Sequence, residues 1–483
     1  MKLAQTLLLW SFLLAASVCC AQPDFASHAK PVGPAPADAA IVRALASIDA
    51  SRIDKTIETL VGFGTRNTNT SMESNLPAGT GVQAAADWIA SQFEQISREC
   101  GGCLEVKRDT FMADPANGES WAKRIPHPIR LTNVYAIEKG ADPAQAGRMV
   151  LVTGHYDSIN SNVFKNWADT SGAAPGANDD ASGVAVSLEC ARALSKLHLP
   201  ATVVYVAVAG EEEGLVGSAH LAHLAKEQGW DLEAVLNNDI VGGNTTPGDM
   251  LQLKDRVRVF SEGVPVAATP EQERRIRGLG GENDSPSRQL ARAMADTART
   301  YFPAVGATRL SAFLVSRPDR YLRGGDHSSF NREGFAAVRL TEWREDYNHQ
   351  HQNVVQPPAG SSDPVLGDLL EFVDFKYVAK VARLNAATLA TLAASPGQPA
   401  KVVIQTEKLE NGTTLRWEPA PGAVAHYEIV WRETTAPDWQ FVKNVQAAGG
   451  EPITITVPVS KDNVIFGVRA VDAAGHRGLV VVP

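Results

Sequence analysis

Met149–Asp157, MVLVTGHYD, is the stretch whose reading decides the fold. Five uncharged residues, apolar or β-branched, run into a glycine and then into His155 and Asp157. A run this short and this rich in branched side chains reads as a strand buried on both faces, as in a parallel sheet, rather than as an alternating one. Outward from it the pattern recurs in Thr202–Ala209 (TVVYVAVA) and Ala234–Leu236 (AVL). Between these runs, Gly183–Leu197 and Leu215–Gln228 carry apolar residues at helical spacing. Strand, helix, strand, helix, strand predicts an α/β domain with a mostly parallel sheet and helices on both faces. In open sheets of this kind ligands bind beyond the carboxyl ends of the strands.

Polar side chains collect at those ends. Four segments, GHYDS, GANDDASG, AGEEEGLVGS and LNNDIVGG, place His155, Asp179, Glu211, Glu212 and Asp239 at or just after them. Imidazole nitrogen and carboxylate oxygen suit zinc and related divalent ions, and one histidine among several carboxylates is too anionic to cluster without a cation. Two positive ions would balance it. In His155-Tyr156-Asp157 the strand period of two sends both polar side chains to one face, so Asp157 can accept from the second ring nitrogen and fix the tautomer. Glu211 and Glu212 point in different directions, so one can bind metal while the other takes a proton from water. Singly, each piece has a plainer reading. Asp179-Asp180 can cap the following helix, and Glu211–Glu213 can be a solvated turn favoured by a helix dipole. The plain reading must, however, hold four times at regular intervals.

The order HYDS, DDASG, GEEEGLVGS, NND and then DYNHQHQ resembles the co-catalytic zinc aminopeptidases of the M28 peptidase family, over roughly Ile41 to Ala400. The resemblance implies a zinc-peptidase fold, two Zn2+ ions and peptide substrates. It implies His155, Glu212, Asp239 and a late histidine as ligands, Asp179 as the bridging carboxylate and Glu211 as the general base. It also implies a cis peptide at Asp179-Asp180. The late ligand has two registers, His349 and His351, and spacing from Asp346-Tyr347 favours His351. Gly324–Phe330 (GGDHSSF) resembles a segment near the family's substrate pocket, which makes His327 a pocket candidate or a structural hydrogen-bonding residue. An excess of carboxylates welcomes a free amino terminus, which favours an aminopeptidase. Two other classes stay open: a catalytically silent binding ectodomain on the same scaffold, and a glutaminyl cyclase-like enzyme.

The chain has 483 residues and 44% apolar content, enough for a large core and a second module. A net charge of −9 argues against nucleic acid as a partner. Met1-Lys2, an apolar stretch from Leu7 to Val18 and Cys19-Cys20-Ala21 have the layout of a secretory signal spanning residues 1–21, with lipidation at Cys19 or Cys20 the alternative. Export to the periplasm or the outside follows, and no later run is long enough to span a membrane. Cys100-Gly101-Gly102-Cys103 then reads as a short disulfide turn, and Cys190 as a small buried residue.

Residues 22–40 are Pro- and Ala-rich and read as a flexible lead into a peptidase domain at 41–395, which closes at the break SPGQPA. Residues 401–483 change texture. Thr414–Trp417, Tyr427–Trp431, Ile453–Val457 and Val464–Ala470 are short alternating runs between turns, predicting an antiparallel sandwich, and they resemble a fibronectin type III domain. A surface or polymer ligand would suit such a module. The long polar stretch 244–303, with a helix from Ser285-Pro286 to about Thr300, sits where insertions shape substrate entry.

Overall fold

The computed structural model describes residues 24–27, 29–447 and 449–483, so the proposed leader and Cys19-Cys20 lie outside the described residues. Its centre is an eight-stranded sheet. The strands in chain order, after a two-residue strand β1 (Lys30–Pro31), are β2 (Leu104–Ala113), β3 (Ile129–Glu138), β4 (Arg148–His155), β5 (Thr202–Val208), β6 (Asp231–Asn238), β7 (Arg256–Ser261), β8 (Ser311–Val315) and β9 (Ala337–Thr341). They lie side by side as β2-β3-β5-β4-β6-β9-β7-β8. The sheet is mixed, which corrects the expected mostly parallel one. β5, β4, β6 and β9 run parallel in the middle. β2 and β3 are antiparallel on one side, and β7 is antiparallel to β9 on the other while β8 runs parallel to β7.

Apolar runs become buried central strands because each face meets a different layer. Val150, Val152, Val203, Tyr205, Ala207, Ala234 and Leu236 join a core with the helices Ile53, Ile89, Val184 and Leu389 belong to, namely Ala50–Gly62, Gly81–Glu99, Ala181–Leu194 and Phe375–Ala394. Their neighbours Leu151, Val204, Val206, Val208 and Val235 join a second core with Leu221 and Phe330 of the helices Val216–Glu227 and His327–Arg332. Alternation by one residue therefore divides each strand between two cores. The Ala181–Leu194 helix starts so close to β6 that a Cβ on Gly183 would lie 2.2 Å from the Asn238 carbonyl oxygen. Only a glycine allows that approach, which brings Asp179 and Asp180 down onto the strand ends.

Seven strands remain if β1 is counted with β10 (Ala400–Gln405), β11 (Thr413–Glu418), β12 (His426–Glu433), β13 (Phe441–Gln446), β14 (Ile453–Val457) and β15 (Val464–Val471). They form a four-stranded sheet β1-β13-β12-β15 and a three-stranded sheet β10-β11-β14. The two enclose a separate core that includes Trp417, Tyr427, Trp431 and Phe466. Described residues of the Pro- and Ala-rich lead touch the C-terminal sheet at three points. β1 pairs with β13, the Trp431 indole donates to the Phe25 carbonyl at 3.0 Å, and Arg477 donates to Gly33 O at 2.8 Å. An edge strand with free backbone groups recruited this segment.

The helix Pro286–Tyr301 falls where Ser285-Pro286 placed it, yet its role differs from shaping substrate entry. It clamps the C-terminal sheet to the main domain. Asp284 receives both oxygens' worth of hydrogen bonds from Arg432 at 2.8 Å and one from Arg292 at 3.1 Å, all three side chains being buried. Removing one member of such a group strands the others as buried charges, at a cost of about 3–5 kcal/mol. Asp284→Ala is expected to lower unfolding stability by that amount, measured by denaturant titration. His476 forms a second clasp, 2.8 Å from Asp472 and 3.2 Å from Asp38 at the start of the helix Ala39–Ala46. Burial opposes its charge, but Asp472 and Asp38 outweigh burial and raise its pKa above the ordinary imidazole value. Its contribution is thus complete below about pH 6.5 and fades as pH rises through the folded-state value. Melting temperatures from about pH 6 to about pH 9 should fall less steeply in His476→Gln than in the wild type.

Cys100 and Cys103 form the expected disulfide and Cys190 is buried. Among the described residues, no helix is long and apolar enough to cross a membrane.

Candidate metal centre

The expected residues meet beyond the carboxyl ends of β5, β4 and β6, which are adjacent in the sheet. His155 is the last residue of β4, Asp239 follows β6, and Glu211 and Glu212 lie in the turn between β5 and the helix Val216–Glu227. Asp179 precedes Asp180, the N-cap of the helix Ala181–Leu194, and the Asp179-Asp180 peptide is cis. His351 comes from the loop after β9.

Asp179 is the hub. One of its oxygens, Oδ1, lies 3.1 Å from His155 Nε2, and the other, Oδ2, lies 2.7 Å from His351 Nε2. His351 Nε2 is also 2.8 Å from Glu212 Oε1, and His155 Nε2 is 4.0 Å from Asp239 Oδ1. Donor atoms of His155, Asp179 and Asp239 lie within 4.8 Å of one another, as do those of Asp179, Glu212 and His351. The two triads share Asp179 alone. A third grouping of the same span joins His155, Glu211 and Glu212. His349 is elsewhere: its ring stacks on Phe372 at 3.5 Å and its Nδ1 is 3.1 Å from Thr246. The register that sets His351 at the site is therefore the observed one.

This donor set fits a divalent metal. The buried atoms His155 Nε2, Glu212 Oε1 and His351 Nε2 lie close to one another or to Asp179, yet none of these contacts among the described residues has the geometry of a hydrogen bond, as expected of donors turned toward a shared ion. Burial disfavours charge on both histidines, yet the carboxylates around them, Asp157 and Asp179 for His155 and Glu212 and Asp179 for His351, raise both well above the ordinary imidazole value. The cluster's surplus negative charge must be met by protons or by a cation, and nitrogen and oxygen donors at this density suit zinc.

Comparison with known proteins agrees. The model of "Peptidase family M28" matches residues 133–365, from β3 through the His351 loop. A "Probable zinc metalloprotease" of Pyricularia oryzae is 41% identical over 96% of this chain and 89% of its own length. Another, of Leptosphaeria maculans, is 40% identical over 94% of this chain and 98% of its own. The chain belongs to peptidase family M28. It is a zinc metallopeptidase. Among solved structures, the LapA aminopeptidase of Legionella pneumophila is similar at 18% identity and a TM-score of 0.47, over 82% of this chain and 80% of that one.

In this M28 peptidase several supporting groups were beyond the reach of sequence. Asp157 does more than was expected of it. His155 Nδ1 is 3.2 Å from the Asp157 main-chain oxygen and 3.5 Å from its carboxylate, while that carboxylate accepts the N–H groups of Glu211 at 3.2 Å and Glu212 at 3.1 Å. It therefore fixes the glutamate turn as well as the histidine. Asp180 accepts from the N–H groups of His155, Gly183 and Ile240, tying three segments together. Asp368, far along the chain, holds the hub by accepting from the N–H groups of Asn178 and Asp179 at 2.8 and 2.7 Å, and burial raises its pKa to about 7. Arg339, fully buried on β9, lies 2.7 Å from Asp239 Oδ1 and 3.3 Å from Asp319. It aims Asp239 across the strand ends. Gln350 adds a hydrogen bond to Asp179 Oδ2 at 3.0 Å.

A cleft of about 650 Å³ opens over the cluster. Its lining includes Ile159, Phe164, Trp167, Leu215 and Leu322 together with Asp179, Glu211, Glu212, Asp239 and His351, and nothing from 244–303, so that stretch does not wall the entry. His327, proposed as a pocket or structural residue, is structural: it is buried and its Nε2 is 2.8 Å from the Pro318 carbonyl.

Proposed function

We propose that this peptidase is a two-zinc aminopeptidase that removes amino-terminal residues from peptides. The observation that carries the reading is Asp179, whose two oxygens are turned to different histidines in two donor triads that share nothing else. Such a carboxylate could be shared by two ions, and His155 and Asp239 would be placed to hold one while Glu212 and His351 would hold the other. When bound, paired metal ions lower the pKa of water and stabilise the oxyanion of an amide undergoing hydrolysis. The chain's own residues supply the rest. Glu211 lines the cleft beside both triads with its N–H held on Asp157, so its carboxylate is positioned to take a proton from the attacking water and deliver it to the leaving amine. Arg339 and Asp157 keep Asp239 and the glutamate turn in register during that transfer.

The acidic floor favours a cationic amino terminus over a blocked one. Hydrolysis of leucyl anilide and of its N-acetylated counterpart tests this directly. Release from the free amine alone is expected, and equal release from both would overturn the exopeptidase reading. Conversion of an N-terminal glutamine peptide to its pyroglutamyl form, without hydrolysis, would point to a cyclase instead.

Two further expectations belong to this reading. The leader at residues 1–21 and the Cys100–Cys103 bridge both support export into an oxidising compartment, and sequencing the mature amino terminus tests it. A peptidase domain at 41–395 and a fibronectin type III-like domain at 401–483 are supported by the two separate cores. Limited proteolysis should nick neither core before the other loses its fold, because β1 and the Asp284 triad join them.

A further inference from the structure

The lining of the cleft places three arginines beside the acidic cluster. Every carboxylate in its lining already has a task at the metal centre, Asp179, Glu212 and Asp239 in the donor triads and Glu211 as the candidate base, while Arg124, Arg320 and Arg323 line it as well. The three arginines differ in what they are already doing. Arg320 is engaged: its guanidinium is 2.7 Å from Glu345 and 3.2 Å from Asp319. Arg323 is not, since its nearest carboxylate oxygen is Glu345 Oε2 at 3.9 Å, and Glu345 already takes Arg320 on that oxygen and Arg258 on the other at 2.8 Å.

Arg124 is positioned with donors to spare. One of its nitrogens donates to the Glu212 carbonyl oxygen at 3.0 Å, and its guanidinium lies 5.4 Å from the ring centroid of Trp167, another cleft residue. No other side-chain hydrogen bond of Arg124 exists among the described residues, and the residue is exposed. A guanidinium carries five N–H donors in a planar fork matched to a carboxylate. One donor and one ring face fix its position beside a candidate metal ligand, and the rest are free for a ligand in the cleft.

We infer that Arg124, with Arg323 of the same cleft lining, binds a substrate carboxylate on the leaving side of the scissile bond. The inference deepens the aminopeptidase reading and rests on it. That carboxylate can come from the free C-terminus of a dipeptide or from an acidic side chain in the second position. A cleft of this size holds a short peptide. A forked, charge-assisted pair formed there strengthens binding of acidic substrates over their neutral counterparts.

Two substrate pairs separate the sources: Leu-Gly against Leu-Gly-amide, and Leu-Glu-amide against Leu-Gln-amide. Wild-type enzyme is expected to prefer the acidic member of at least one pair by about tenfold or more in kcat/KM, mostly through KM. A preference in the first pair alone assigns the terminal carboxylate, and in the second alone an acidic side chain. In Arg124→Gln and Arg323→Gln the ratio within the responding pair should collapse toward unity, with Arg124→Lys retaining part of it. The ratio is the readout, so a general loss of turnover from disturbed packing does not imitate the effect. Ratios near unity in the wild type, with the neutral substrates still hydrolysed, overturn this inference and leave the aminopeptidase standing. Failure to hydrolyse any of the four overturns both. A ratio unchanged in both glutamine variants assigns the preference to other residues and overturns the role of these arginines.

Discussion

Glu211→Gln is expected to lower kcat by about 10²–10⁴-fold, the range for loss of a general acid–base, while zinc stays bound. The metal content is what makes this informative. Glu211 sits within 4.8 Å of donor atoms of His155 and Glu212, so geometry alone would also allow it to be a ligand. A base lost without its metal partners changes turnover only, whereas a ligand lost takes metal with it. In the metal-free chain burial, reinforced by Asp239, Glu212 and Asp326 against the opposing effect of His155, holds Glu211 well above the usual carboxylate range. Cations held among those carboxylates would offset the repulsion and favour the ionised form that accepts a proton. Loss of zinc in Glu211→Gln would assign it to coordination instead.

His351→Ala and His349→Ala should differ sharply. They are two residues apart, and the sequence offered both. His351 closes the triad with Asp179 and Glu212 at 2.7 and 2.8 Å, whereas His349 stacks on Phe372 and bonds toward Thr246. A metal ion supplies several kcal/mol of transition-state stabilisation, and tenfold in rate corresponds to about 1.4 kcal/mol. Loss of one ion's anchoring histidine should therefore lower kcat/KM by at least about 10³-fold and reduce the zinc retained on dialysis. His349→Ala should keep both within a few-fold. The converse result would mean that the His351 loop is placed differently in the loaded enzyme.

The centre of the fold was legible because its strands are buried on both faces. Met149–Thr153, Thr202–Ala209 and Ala234–Leu236 carry that burial in their composition, and the residues that follow them are forced to the sheet's edge. β7, RVRVFS, carries the alternation of a strand, but the long polar stretch around it masks that short signal. The antiparallel pairings that make the sheet mixed depend on such flanking strands. Site residues at strand ends could be read from the sequence for the same reason as the strands. Arg339 and Asp368 could not. An arginine in VRL and an aspartate in LGD look like surface residues, and only the approach of Asp239, Asp319 and the Asn178-Asp179 backbone reveals why they are buried. Lys30–Pro31 is a similar case, because the edge of β13 that recruits it lies at the other end of the chain.

The most direct test of the metal centre is zinc bound per chain, measured while the metal-free enzyme is titrated with zinc and its turnover is followed. Two zinc ions per chain, with Asp179→Asn weakening both, are expected from a carboxylate shared by two triads. Full turnover at one ion per chain, or an Asp179→Asn enzyme that binds zinc as tightly as the wild type, would contradict it.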